Sequence, residues 1–83
     1  MTILEKIDNV IFAIFDFETM NVANNIINIF SEIIDTNLID TKVPFLLNQI
    51  NSLMANCLNA MQNKDYLLLA DYLEYQLKPM LRR

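Results

Sequence analysis

Thr19-Met-Asn-Val-Ala-Asn-Asn-Ile-Ile-Asn-Ile-Phe-Ser-Glu-Ile-Ile-Asp-Thr36 decides the fold class. On a helical wheel, Val22, Ala23, Ile26, Ile27, Ile29, Phe30, Ile33 and Ile34 fill one half, while Asn21, Asn24, Asn25, Asn28, Ser31, Glu32, Asp35 and Thr36 fill the other. A two-residue period would scatter both sets over two faces, so the segment reads as an amphipathic helix despite the modest helix propensity of Asn and Ile. Upstream, Ile3, Ile7, Val10, Ile14 and Phe17 recur at alternating four and three, with Leu4, Ile11 and Phe15 beside them. Thr2 and Glu5 stand at their head in capping-box spacing, where hydroxyl and carboxylate each satisfy an orphan backbone donor. Between the two segments the apolar spacing slips to successive threes at Ile14, Phe17, Met20 and Ala23. That slip predicts a tight turn with the second helix starting near Glu18 or Thr19; one fused helix is the alternative, because no Gly or Pro interrupts the stretch.

Downstream, Asn37-Leu-Ile-Asp-Thr-Lys-Val43 reads as a linker, and Pro44 suits the first turn of a third helix while pushing Val43 into extended backbone. Leu46, Leu47, Ile50, Leu53, Met54, Cys57, Leu58 and Met61 share one face of that helix. Asn63-Lys64-Asp65 then reads as a turn, with Asn63 in the left-handed position that Gly would usually take and Asp65 as the next N-cap. The fourth helix is expected to end or kink at Pro79, which has no N–H for the bond back to Tyr75. The expected fold is all-α: one domain over residues 1–83, an antiparallel bundle of four helices at about 3–17, 19–36, 44–62 and 66–78. Its expected core is Ile7, Ile11, Ile14, Ile26, Ile27, Phe30, Ile34, Ile50, Leu53, Cys57, Met61, Leu69, Leu73 and Leu77.

Composition narrows the chemistry. The 83 residues include no Gly, so no glycine-rich loop can cradle a phosphate, and no nucleotide cofactor is expected. There is no His and one Cys, which removes Ser/His and Cys/His pairs, Cys/His zinc sets and any internal disulfide. The unpaired Cys57 is expected to be a buried filler, and its presence agrees with a reducing compartment. Inward-facing carboxylates with a Glu-x-x-His pattern would mark a metal-binding bundle, but here the acids lie on polar arcs: Asp65 caps and Glu74 pairs with Lys78. A net charge of -4 repels phosphate backbones and anionic lipid heads, so neither nucleic acid nor a membrane surface is an expected partner. The longest apolar run, Val10 to Phe15, is far too short to span a bilayer, and Met1-Thr2-Ile3-Leu4-Glu5 has no basic signal-peptide start. A cytoplasmic protein is expected. The apolar fraction of 54% is high for a domain that can cover only about 60% of its unfolded surface. The surplus points to an interface, and a homodimer is its natural outlet.

The fourth helix carries two apolar stripes. Tyr66, Leu69, Ala70, Leu73, Leu77 and Met80 form the face for the bundle core, and Leu68, Tyr72 and Tyr75 form a second one. A second stripe wants a second neighbour, either inside the bundle or outside it. Tyr is enriched at interface hot spots, and Asp71 and Glu74 would supply an acidic rim. Phe12, stranded among polar residues of the first helix, extends the candidate partner-binding set to Phe12, Leu68, Asp71, Tyr72, Glu74 and Tyr75.

The stretch Asn63-Lys-Asp-Tyr-Leu-Leu-Leu-Ala-Asp-Tyr-Leu-Glu-Tyr-Gln-Leu-Lys-Pro79 resembles a segment of short, uncharacterised helical proteins of low-GC Gram-positive bacteria, and the abundance of Asn, Ile and Lys agrees with an AT-rich coding sequence. That family brings no catalytic residues to carry over. In size, acidity and helicity the chain is also similar to small flagellar and secretion chaperones, a likeness of fold class alone. The reading is a non-catalytic protein–protein interaction module, an adaptor, small regulator or export-type chaperone, that takes a partner's amphipathic helix and no small-molecule substrate. A structural subunit of a larger assembly is the second reading, and a carboxylate-dependent enzyme the third.

Overall fold

A computed structural model describes residues 2–40 and 42–81; Thr41 of the linker and the Arg82-Arg83 pair lie outside the described residues. Every element among the described residues is helical. Helix α1 (Ile3–Phe15) begins at the capping box: the Glu5 N–H donates to Thr2 Oγ1 at 3.2 Å and the Thr2 N–H to Glu5 Oε1 at 3.3 Å. Helix α2 is Val22–Asp35, so helices 1 and 2 are separate and each is shorter than its apolar periodicity alone implied. Helix α3 (Pro44–Gln62) opens with Pro44 in its first turn behind an extended Val43. Asp65 caps the last helix by accepting the Leu68 N–H. That helix runs as α4 (Tyr66–Tyr72), a π turn (Leu73–Leu77) and a final α turn, α5 (Lys78–Leu81).

All three interhelix turns solve the same problem. A helix C-terminus commonly reverses through one left-handed residue, usually Gly, and this chain has none. Phe17, Asn37 and Lys64 adopt positive φ of 61°, 56° and 56° instead. Each closes a Schellman pair, with Glu18 donating to the Ala13 carbonyl (2.8 Å), Leu38 to Ile33 (3.1 Å) and Asp65 to Ala60 (2.8 Å). Phe17 therefore ends α1 rather than extending its core stripe. Asn63 is right-handed, at φ -83°, and the reversal falls on Lys64, because the helical path continues one residue beyond the expected stop.

Pro79 does not end the last helix. In a regular α turn its ring would collide with the Tyr75 carbonyl, and the π turn ahead of it widens the spiral, with the Lys78 N–H donating five residues back to Leu73. The extra residue also rotates everything after it. On a straight wheel Lys78 lies opposite Leu69; after the π turn it is buried, 6% exposed.

Helix α1 packs against α2 on one side and against the C-terminal helix on the other, and α3 packs on α4. The shared core holds Ile7, Val10, Ile11 and Ile14 of α1, Val22, Ile26, Ile29, Phe30 and Ile33 of α2, Ile50, Leu53, Cys57 and Ala60 of α3, and Leu69, Ala70, Leu73, Leu77 and Met80 of the last helix. Ile39 of the linker joins them. Ile27 and Ile34 do not belong to this core: they are 53% and 39% exposed. They lie on one flank of an apolar arc wider than the strip its neighbour covers. Met61 is half-buried against the core.

Because left-handed backbone is costly for a residue with a Cβ, Phe17→Gly and Lys64→Gly should each raise stability in urea by about 1 kcal/mol, the relief of strain outweighing the entropy that Gly adds to the unfolded chain. Asn37→Gly should gain less, since Asn tolerates this conformation. Unchanged or lower midpoints for Phe17→Gly and Lys64→Gly would contradict this account of the turns.

Candidate functional site

Asp71, Glu74 and Tyr75 line a shallow groove of about 220 Å³ with Ala70 and, from α1, Ile11 and Phe15. Contact between α1 and the last helix brings these two sequence-distant walls together. Beneath the rim, the buried Lys78 donates to Asp8 Oδ1 of α1 at 2.7 Å and to Glu74 Oε2 at 3.1 Å. The expected Glu74–Lys78 pair is thus one arm of a three-residue clamp that crosses between helices. Its Asp8 arm was hidden from sequence reasoning because it spans 70 positions and depends on the rotation imposed by the π turn. Hydrogen bonding to Asp8, joined by Glu74 and opposed by burial, raises the Lys78 pKa above its ordinary 10.5. Glu74 is tied down by this clamp, and exposed Asp71 stands on the rim outside the ion pairs formed among the described residues.

The other candidates separate. Tyr75 is 73% exposed and forms a ridge, because its far side lines a second groove of about 620 Å³ between α3 and the last helix. Phe45, Pro79, Met80 and the polar side chains of Asn48, Gln49, Ser52, Asn56 and Gln76 line that groove, in which Gln49 Oε1 is buried with no hydrogen-bond partner among the described residues. Tyr72 is half-buried against the core, since it lies nearest the core side of its stripe. Leu68 and Phe12 are exposed but line neither groove. Sequence reasoning missed Phe15, which it placed beside the apolar stripe of α1 and which is 57% exposed, and Phe45, 69% exposed at the start of α3. Neither carries a periodicity signal that separates it from core residues.

Cys57 is wholly buried, and burial pushes its thiol pKa up to about 12, so it holds no thiolate near neutrality. Among the described residues no three His, Cys, Asp or Glu converge on a metal-sized space, and no helix is long and apolar enough to cross a membrane.

Fold and surface together define a small all-helical domain whose grooves are lined by apolar, amide and acidic side chains. The chain belongs to the family described as a domain of unknown function (DUF8042), whose model matches residues 2–83. No curated protein and no solved structure gives a significant match.

A folded pKa above the unfolded one means that protonated Lys78 contributes its stability in full below pH 10.5, and that this contribution is lost as pH rises through the folded value. Lys78→Met should cost about 1–2 kcal/mol near neutrality, less than a fully buried pair, because the Asp8 and Glu74 side chains are 39% and 41% exposed and can rehydrate. Its stability should also fall less steeply than wild type above pH 10.5 in parallel denaturant titrations. For the tyrosines, Tyr72→Ala should lower stability by about 2 kcal/mol through lost packing, while Tyr75→Ala stays within about 0.5 kcal/mol of wild type.

Proposed function

We propose that the protein is a non-catalytic interaction module of the bacterial cytoplasm, an adaptor, small regulator or export-type chaperone, an antiparallel four-helix bundle that works as a homodimer and holds a partner's amphipathic helix beside Tyr75. One observation carries the reading: Phe12, Phe15, Phe17, Met20, Ile27, Phe45, Leu67 and Tyr75 are each more than half exposed on a chain of 83 residues. Single exposed apolar residues are ordinary, but this density on so small a surface marks contact sites. The three-residue turn between α3 and α4 supports antiparallel neighbours, because so short a connection must reverse the chain. The homodimer face is the uncovered flank of α2, where Ala23, Ile27 and Ile34 fall on one side of the helix at spacings of four and seven.

A structural subunit of a larger assembly would use the same surfaces, and the same exposed residues favour it as the second reading. An enzyme has less support, since the groove carboxylates either sit in the Lys78 clamp or stand open to water. Light scattering at high micromolar concentration should give about twice the chain mass of 9.7 kDa. Ile27→Glu should return it to the monomer mass with its helical circular dichroism unchanged, by placing two like charges across the twofold axis. A wild-type mass of 9.7 kDa would remove the homodimer.

A further inference from the structure

Where α1 ends, Phe15, Phe17 and Leu67 surround a depression of about 400 Å³ floored by Ile14 and Tyr66. The three rim residues are 57%, 90% and 64% exposed. Phe17 is unfavourable there twice over: its ring stands in water, and its backbone is left-handed at φ 61°. Asn37 ends α2 the same way, with a side chain suited to that backbone, whereas a bulky aromatic has no such compensation. Strain kept at an exposed aromatic points to a use for its side chain. The surrounding charge is negative. Asp16 and Glu18 bracket Phe17, are exposed, and enter none of the ion pairs among the described residues. Asp65 lines the depression, and among the described residues Lys64 is the one cation that does.

We propose that this end of the bundle docks a cationic amphipathic helix of a partner protein, with an apolar side chain seated between Phe15, Phe17 and Leu67 and Lys or Arg residues facing Asp16, Glu18 and Asp65. Charge decides the occupant. A second copy placed here by a twofold axis would set the same three carboxylates against their own images, which costs affinity, while a basic helix meets them with opposite charge. Phe15 lines both this depression and the groove below Tyr75, so a helix anchored at Phe17 can continue along that groove. The inference thus rests on the interaction-module reading and adds the partner's chemistry and its anchor point.

The test titrates the isotope-labelled full chain with a helix-forming peptide of Leu and Lys, its leucines on one face, and with the matching Leu and Glu peptide, reading backbone amide shifts and affinity. The Leu/Lys peptide should bind and shift amides over 14–19 and 64–67, and the Leu/Glu peptide should not. Phe17→Gly leaves every charge in place and should weaken Leu/Lys binding by about tenfold or more, while its denaturation midpoint rises. Equal binding by Phe17→Gly, or by both peptides, overturns the proposal. Shifts centred on Tyr75 that spare Phe17 overturn this docking end and leave the interaction-module reading standing. Absence of binding by either peptide, with a monomeric mass by light scattering, removes both. Self-association abolished by Phe17→Gly would give the site to a second copy and overturn the proposal as well.

Discussion

The bundle depends on α1 being gripped from both sides. Four of its residues, Ile7, Val10, Ile11 and Ile14, are buried, and they face α2 and the C-terminal helix together. Two ion pairs flank this apolar seam. Lys6 reaches Glu32 of α2, and Asp8 receives Lys78 from the far end of the chain. Positions 6 and 8 lie about 200° apart on a helix, so the two pairs act on opposite flanks of α1 and set its rotation about its own axis. The outer pair is half-exposed and contributes little energy. The inner one is different, because a buried ammonium without its carboxylates would be a large penalty, so every alternative packing that separates Lys78 from α1 is disfavoured.

That inner pair forms directly after the π turn, at the residue before Pro79. A regular helix would carry Lys78 to solvent on the side opposite Leu69, and the π turn that accommodates the proline rotates it inward while Leu77 and Met80 stay in the core. Backbone accommodation, side-chain burial and helix-to-helix electrostatics are therefore one event at one turn. The same turn separates Tyr72, which keeps its packing, from Tyr75, which stands as a ridge between two grooves.

The absence of glycine is the second constraint that shapes the surface. Each helix still has to end, and at Phe17, Asn37 and Lys64 a residue with a Cβ makes the left-handed reversal. At Asn37 this is unremarkable chemistry. At Phe17 it lifts an aromatic ring out of the stripe its periodicity had assigned it and exposes it beside Asp16 and Glu18. A helix stop thereby becomes a surface feature, joined through Phe15 to the groove of Asp71, Glu74 and Tyr75.

What the sequence determined by itself is local. Periodicity over 22–34 identified α2, the spacing of Thr2 and Glu5 and the place of Pro44 and Asp65 located three helix starts, and eleven of the fourteen expected core residues, from Ile7 to Leu77, are buried. These features follow from interactions between residues a few positions apart, which a wheel displays. Tertiary structure decided the rest. Ile27 and Ile34 are left outside because the wheel shows how wide an apolar arc is and not how much of it a neighbour covers. Lys78 is inside because one added residue in a π turn shifts the phase, a change no fixed period contains. The candidate groove needs Phe15 from α1 beside Tyr75 from the last helix, and a pairing sixty positions long is chosen only when the helices pack.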